Sequence, residues 1–224
     1  MDVPVNKAPL FAALDLESAA ALRASMVEVR ARKGDVIFRE GDPGDRLYVI
    51  TSGKVTLGHK AVDGRETLIA VLGAGEMFGE LSLFDPGQRT ATATALTDAT
   101  VLGFGREALR PLIVNRPEVA EKLLQALAKR LRRTEDAMAD LIFIDVPGRV
   151  AKCLIELSEK FGVVRENDLF VEHDMTQEEL AQLVGASRET VNKALADFVT
   201  RGFLRVEQRS VTIMDVERLK LRAK

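Results

Sequence analysis

The sequence predicts an α+β protein with three successive parts: a small β domain of the jelly-roll type, a long helix, and a winged helix-turn-helix. Three observations predict this fold class. Between residues 28 and 105, short β-favouring runs alternate with glycine turns. Residues 117–143 repeat apolar side chains in heptads, and residues 176–200 form two capped helices around a glycine turn. We place the domain boundaries at 1–116, 117–144 and 145–224.

The composition narrows the class of protein. Of the 224 residues, 46% are hydrophobic and 29% charged, which is typical of a folded chain with a buried core. The net charge of −2 means that any DNA binding must come from a local surface. One cysteine, Cys153, and two distant histidines, His59 and His173, argue against a disulfide framework and a metal site. With no signal peptide or bilayer-length apolar run, we expect a soluble, cytoplasmic protein without a membrane partner.

The N-terminal part begins with a predicted helical segment within residues 1–27, where apolar residues stand among alanines at Leu10, Leu14, Leu22 and Met26. The β-favouring runs that follow predict strands at residues 35–38, 47–50, 54–57 and 67–72. Asp63-Gly64 between two of them is typical of a tight hairpin turn.

Residues 117–143 predict one long helix with Pro117 in its first turn. Its heptad positions are Ala120, Leu124, Leu127, Leu131, Thr134, Met138 and Leu141. This spacing favours a coiled coil between two subunits, whose dimer contacts would be Leu124, Leu127, Leu131, Met138 and Leu141. The alternative is a helix that packs on its own β domain. Thr134 is polar, so it either sets the register or has another partner.

The helix pattern stops near residues 143–148, where Asp145 can cap a new helix and Pro147 and Gly148 indicate a break. Residues 149–162 then predict an amphipathic helix that ends at Gly162 as its C-cap. Thr176-Gln-Glu-Glu179 is a capping box for a helix from Gln177 to Val184.

The second helix of this pair follows a turn at Gly185 and is capped by Ser187. Its first turns place Arg188, Glu189 and Lys193 on one face, in types that suit guanine and cytosine edges in the major groove. The alternative is a solvated helix face. Residues 188–224 hold nine basic and five acidic side chains, a local charge of +4 that favours phosphate contacts. Residues 203–207 and 210–214 predict a hairpin wing.

A second candidate site lies in the β domain. Gly79-Glu80-Leu81-Ser82 can begin a short helix whose free amides accept an anion, and Arg89 and Thr90 would add a charged fork and a hydroxyl. Glu80 beside a phosphate needs a donor of its own, and a ribose hydroxyl is one. The combination indicates a sugar phosphate, with an intradomain Glu80–Arg89 salt bridge as the alternative.

Three separated blocks now carry a resemblance that covers the chain from about residue 8 onward: EGDPGDRLY at 40–48, FGELSLFDPGQRTA at 78–91 and VGASRETVNKAL at 184–195. The chain resembles the CRP/FNR family of bacterial transcription regulators, especially cyclic AMP receptor proteins of the actinobacterial type. The resemblance implies cAMP as ligand, with Glu80 on the ribose 2′-hydroxyl and Arg89 and Thr90 on the cyclic phosphate. The full implied ligand set is Gly79, Glu80, Leu81, Ser82, Arg89, Thr90, Thr134 and Glu135.

Within that implied set, Thr134 would contact the adenine amino group and Glu135 the nucleotide of the partner subunit. The implied DNA contacts are Thr176, Gln177, Ser187, Arg188, Glu189, Asn192 and Lys193, directed at TGTGA-like palindromes of double-stranded DNA. The resemblance further implies a homodimer, a hinge at Phe143 and Asp145, and RNA polymerase as a partner.

We therefore expect a cAMP-responsive, sequence-specific transcription regulator. One alternative keeps the fold but makes DNA binding independent of the nucleotide. Another is a nucleotide-binding module that acts on protein partners. An enzyme is not expected, because the sequence has no nucleophile elbow, zinc-protease motif or Walker loop.

Overall fold

The computed structural model describes residues 8, 11, 14–61, 64, 66–166 and 168–224. The chain folds into two compact units. One contains Met1–Arg65 and Ile69–Arg132, and the other contains Glu66–Leu68 and Arg133–Lys224. This division falls inside the long helix, whereas our predicted boundaries treat that helix as a part of its own, and those boundaries stay a prediction.

The first unit is built on β-strands, as predicted. Its helices and strands are α1 (Leu16–Ala24), β1 (Val27–Ala31), β2 (Val36–Phe38), β3 (Arg46–Ser52), β4 (Val55–Lys60), β5 (Glu66–Leu72), β6 (Met77–Phe78), α2 (Leu81–Phe84), β7 (Thr92–Ala95), β8 (Ala99–Gly105) and α3 (Arg106–Asn115), although the first three residues of β5 are assigned to the other unit. One sheet has the order β1-β8-β3-β6 and the other β2-β7-β4-β5. The four predicted strands are confirmed as β2 to β5.

Two predictions in this unit are met only in part. The N-terminal helical segment is helical from Leu16 to Ala24 but gives way to strand β1 at Val27. Leu10 and Asp63, the first residue of the predicted hairpin turn, lie outside the described residues. Helix α3 was not predicted, because Pro111 interrupts its pattern.

The long helix α4 (Pro117–Phe143) has the predicted bounds. Its first turns pack on the β domain through Val119 and Leu123, which join the core cluster of Leu47, Val49 and Phe104. Helix α4 therefore does pack on its own β domain, but it does so through residues outside the predicted heptad seam. A second cluster fills the space between strands, with the rings of Phe38, Tyr48 and Phe78 at centroid distances of 5.3–5.8 Å.

The second unit contains α5 (Val146–Phe161), β9 (Gly162–Arg165), β10 (Asp168–Glu172), α6 (Gln177–Val184), α7 (Arg188–Thr200), β11 (Leu204–Val206), β12 (Ser210–Ile213) and α8 (Val216–Arg222). The strands form one antiparallel sheet in the order β11-β12-β10-β9. The predicted helix-turn-helix and its hairpin wing are confirmed, whereas β9 and β10 were not predicted.

The helix that we predicted over 149–162 needs correction at its start. It begins at Val146, since the Asp145 side chain caps it and proline is tolerated in a first turn. Its C-cap is Gly162, as predicted, but the φ of −71° and ψ of 138° at this glycine are extended rather than left-handed, because it also starts strand β9.

Membrane-spanning helices and clustered metal ligands are both missing from the described part of the chain. No helix there has the length and apolar character to cross a bilayer. Nor does that part bring together three or more His, Cys, Asp or Glu side chains that could hold a metal ion.

Candidate functional site

An open pocket of about 290 Å³ lies in the first unit, beside helix α2. Its lining residues are Phe38, Leu57, Gly79, Glu80, Leu81, Ser82, Arg89, Thr90, Ala91 and Arg130. The six pocket residues predicted from the β domain are therefore brought together. Arg130, from helix α4, joins them without having been predicted.

Arg89 is the charged centre of this pocket although only 4% of its surface is exposed. Its Nη1 lies within hydrogen-bonding distance of three oxygens, the Arg46 carbonyl at 2.7 Å, the Gly79 carbonyl at 2.8 Å and Ser82 Oγ at 3.1 Å. Its guanidinium lies 4.2 Å from the ring centroid of Phe38. These interactions fix the side chain in one orientation.

Burial lowers the pKa of the Arg89 guanidinium below its ordinary value, although nearby charges, including Asp45, oppose the shift. Asp45 Oδ1 is 4.0 Å from Arg89 Nη2 and belongs to a largely exposed side chain. A desolvated cation gains most from an anion that it contacts directly. The pocket therefore favours an anionic ligand at Arg89.

Glu80 is the second buried charge, with 4% of its surface exposed. Its Oε1 accepts a hydrogen bond from Arg130 Nη1 at 2.7 Å. The alternative of a Glu80–Arg89 salt bridge is thus replaced by a Glu80–Arg130 pair, whose members are 50 residues apart. The signal that could have found Arg130 is its position one helical turn before Thr134.

Two polar atoms in this pocket have no hydrogen-bonding partner. Among the described residues, the buried side-chain atoms in this condition are Glu80 Oε2, Arg89 Nε and Asn192 Oδ1. Buried polar groups are nearly always hydrogen-bonded, so unpartnered atoms at one site point to a ligand. An acceptor oxygen and a charged N–H donor match a molecule with both a hydroxyl and an anionic group.

Gly79 shapes the wall of the pocket. Its φ of +75° is in the left-handed region, and a Cβ there would lie 2.7 Å from Arg89 Nη1 and 3.1 Å from the Arg46 carbonyl oxygen. Only glycine allows this backbone conformation and this approach of the arginine. Glu80 is the N-cap residue of the short helix α2, which begins at Leu81.

Thr134 and Glu135, the two remaining predicted ligand residues, lie on α4 in the second unit and are exposed. Both side chains follow Arg130 within five residues of the same helix. Their proposed contacts with nucleotide stay predictions.

The predicted dimer seam on α4 is largely exposed. Leu124, Leu131, Met138 and Leu141 each expose 57% or more of their surface, whereas Leu127 is half-buried. The last residue of the helix, Phe143, is 82% exposed. A row of large apolar side chains on one helix is unusual for a surface that faces only water.

The helix-turn-helix is held by the caps that the sequence predicts. Thr176 Oγ1 accepts a hydrogen bond from the Glu179 amide, and Glu179 Oε2 accepts one from the Thr176 amide, which completes the capping box. Gly185 ends α6 with a φ of +70°, and Ser187 caps α7 by accepting from the Thr190 amide. Thr176 and Ser187 therefore act first as caps at the start of the two helices.

The recognition face of α7 presents the predicted trio of charged side chains. Arg188 is exposed, and Glu189 and Lys193 expose 77% and 75% of their side chains. These last two form an ion pair of 2.6 Å one turn apart. Asn192 differs from its neighbours, because it is half-buried and its Oδ1 lacks a partner. The trio is accessible to a groove, whereas Asn192 lies at the border of the buried face.

Comparisons with known proteins find matches for both parts of the chain. Residues 28–116 match the cyclic nucleotide-binding domain family and residues 148–222 match the Crp-like helix-turn-helix domain family. The chain is 54% identical to a CRP-like cAMP-activated global transcriptional regulator of Mycobacterium tuberculosis, over 100% of both chains. It is 38% identical to the cyclic AMP receptor protein of Thermus thermophilus, over 82% of each chain. The solved structure of FixK2 from Bradyrhizobium japonicum aligns with a TM-score of 0.80 at 26% identity, covering 89% of this chain and 98% of that one.

Proposed function

The chain belongs to the CRP/FNR family of transcription regulators, and from this premise we propose that it binds palindromic DNA as a homodimer in response to cAMP. Its relatives are regulators of transcription rather than enzymes. The observation that carries the proposal is the pair of unpartnered buried atoms, Glu80 Oε2 and Arg89 Nε, in one pocket.

The pocket residues fit a cyclic nucleotide. Arg89 supplies a desolvated positive charge and a free N–H for the cyclic phosphate, and Thr90 supplies a hydroxyl on the same wall. Glu80 Oε2 is an acceptor for the ribose 2′-hydroxyl, while its other oxygen stays on Arg130. The Glu80 carboxylate and the cyclic phosphate repel each other, and the hydrogen bond from the ribose 2′-hydroxyl offsets this repulsion. For the base, we propose Thr134 as the partner of the adenine amino group.

The recognition helix supports base reading. Arg188 suits the O6 and N7 acceptors of guanine, and Glu189 suits the amino group of cytosine. Lys193, which is paired with Glu189 in the free protein, would move to a phosphate or a base on binding. We propose a TGTGA-like half-site for each subunit, with the two half-sites about one helical turn apart. From the family resemblance we also propose RNA polymerase as a protein partner.

We assign the dimer contact to the exposed seam of α4. Replacing Leu131 by Glu places a charge in the middle of this apolar row. We expect Leu131→Glu to be monomeric in sedimentation and to bind the palindrome at least about tenfold more weakly, since each subunit then binds alone. Gln125→Glu is the matched control, because it adds the same charge to an exposed position outside the seam. A dimeric Leu131→Glu would contradict this assignment.

The experiment that tests the whole proposal is calorimetric titration with cAMP and with cGMP, each with and without a TGTGA-palindrome duplex. Reciprocity requires that DNA tightens cAMP binding by the same factor by which cAMP tightens DNA binding. We expect cAMP to bind, and to bind more tightly when DNA is present. Equal affinity with and without DNA would favour a regulator whose DNA binding is independent of the nucleotide, and no binding of the duplex would favour a module acting on protein partners.

A further inference from the structure

The two-residue connection between α4 and α5 is held by the side chain of its second residue. Asp145 Oδ1 accepts a hydrogen bond from the Gly148 amide at 2.9 Å and so caps α5. Asp145 Oδ2 accepts one from Arg222 Nη2 at 2.6 Å. Hydrogen bonds from Arg222 and then from the Gly148 amide hold the pKa of Asp145 below its usual range. One ionised carboxylate therefore joins the start of α5 to the last turn of the chain.

Arg222 reaches this position for two reasons: α8 is anchored by a buried leucine, and the residue of α5 that faces Arg222 is a glycine without a side chain. Leu219, one turn before Arg222 in α8, is fully buried. Gly148 is also buried, and a Cβ there would lie 2.4 Å from Ile144 Cγ2, 3.0 Å from Asp145 Oδ1 and 3.1 Å from Arg222 Nη1. A side chain at 148 would clash with Ile144 and crowd both members of the pair. The absence of one allows the guanidinium to lie over the first turn of α5.

A second arginine ties the same connection to the helix-turn-helix. Arg149 donates to the carbonyl oxygens of Ile144 at 3.0 Å, Val184 at 3.2 Å and Gly185 at 3.2 Å. Val184 and Gly185 form the end of α6 and the turn before the recognition helix. The connection therefore has fixed contacts on two sides, to the DNA-reading motif through Arg149 and to the C-terminal helix through Arg222.

We propose that Arg222 is a positioning residue for the response to cAMP, through which the C-terminal helix α8 holds Asp145 and the α4–α5 connection in one arrangement. This inference rests on the proposed function, since it concerns how cAMP changes DNA affinity. The pair is 61% exposed at Asp145 and 35% exposed at Arg222, and exposed ion pairs add little to stability. Its effect belongs to the coupling between ligand and DNA rather than to folding.

The test is fluorescence anisotropy of the full chain on a labelled TGTGA-palindrome duplex, with and without saturating cAMP. The quantity compared is the ratio of the two DNA affinities. Arg222→Gln removes the ion pair and leaves the cap. Asp145→Asn does the same from the other side, because asparagine is as good an N-cap as aspartate. We expect both variants to lower the ratio at least about fivefold, which is a typical lower bound for an allosteric coupling.

Three further measurements separate positioning from loss of charge or of folding. Lys220→Gln removes one positive charge from α8 away from the Asp145–Arg222 pair, where Lys220 pairs with Glu217 at 3.1 Å. It should change both DNA affinities alike and keep the ratio. The Asp145→Asn/Arg222→Gln double variant should lower the ratio no further than either single variant. Arg222→Lys, which keeps a charged donor, should recover part of it.

If Arg222→Gln has the same ratio of DNA affinities as the wild type and the Lys220→Gln control, the inference is overturned but the proposed function still stands. The same holds if the effects of the two single variants simply add. A wild-type ratio of one overturns the proposed function, and the inference with it. The cAMP affinity of each variant without DNA, measured by calorimetry, reports that the pocket is intact.

Discussion

The pocket of the β domain and the recognition face of α7 carry the same kinds of charged side chain in opposite surroundings. Arg89 and Glu80 are 4% exposed, whereas the side chains of Glu189 and Lys193 are 77% and 75% exposed. Each pocket charge has a partner far along the chain, 43 residues away for Arg89 and 50 for Glu80, but Glu189 and Lys193 are four residues apart. A buried charge is held and oriented before ligand arrives, whereas an exposed one acquires its specificity only against DNA.

The largest effect is expected on cAMP affinity when the buried positive charge of the pocket is removed. Arg89→Ala removes the positive charge and the free Nε–H from the pocket, and each charge-assisted hydrogen bond contributes about 1.5–3 kcal/mol. We expect the affinity for cAMP to fall about 100-fold in calorimetry, with the far-UV circular dichroism of a folded chain. Arg106→Ala is the control, because Arg106 donates hydrogen bonds to the Leu83 carbonyl of α2 without lining the pocket. A folded Arg89→Ala with unchanged affinity would remove Arg89 from the phosphate site.

The recognition face should respond in sequence preference rather than in overall affinity. Glu189→Ala deletes the acceptor that suits cytosine, and one such contact carries about 1–3 kcal/mol of discrimination. We expect relaxed preference at one position of each half-site in competition with a set of singly substituted operators. Glu217→Ala, which removes a carboxylate from α8, should leave the preference unchanged. An unaltered profile in Glu189→Ala would make this residue a surface charge only.

A smaller effect is expected from an isosteric change at the second pocket charge. Glu80→Gln keeps the size of the side chain but replaces an acceptor-only carboxylate by an amide, so one of its two terminal atoms no longer accepts from a ribose hydroxyl. We expect cAMP affinity to fall about tenfold, the cost of one hydrogen bond to a charged group. The 2′-deoxy analogue should lose this difference between wild type and variant. Glu76→Gln, where the carboxylate accepts from the Gly73 amide outside the pocket, is the matched control.

The smallest effect is expected on the free energy of unfolding when the exposed ion pair of the recognition face is broken. Lys193→Ala breaks an exposed pair one turn apart, and such pairs contribute about 0.3–0.5 kcal/mol. We expect the free energy of unfolding in urea to change by less than about 0.5 kcal/mol. A change above about 1 kcal/mol would show that the recognition face contributes to the fold as the pocket does.

Much of the second unit could be predicted because its signals are local. The capping box at Thr176, the left-handed Gly185 and the cap at Ser187 each involve residues within four positions of each other, so the sequence alone contains both partners. The same reason explains the correct bounds of α4. Strands β9 and β10 were missed because Gly162, which was predicted only as the C-cap of α5, also starts β9, and because these short strands are stabilised by pairing with each other and with β12.

By itself the sequence determined the order of parts, the residues of the helix-turn-helix, and the pocket segment from Gly79 to Thr90. Tertiary structure decided which charges meet. It paired Glu80 with Arg130 instead of Arg89, left Arg89 Nε without a partner, and brought Arg222 to Asp145 across 77 residues. The physical reason is range: caps and helix faces arise from neighbours in the chain, whereas the partner of a buried charge depends on how distant segments pack.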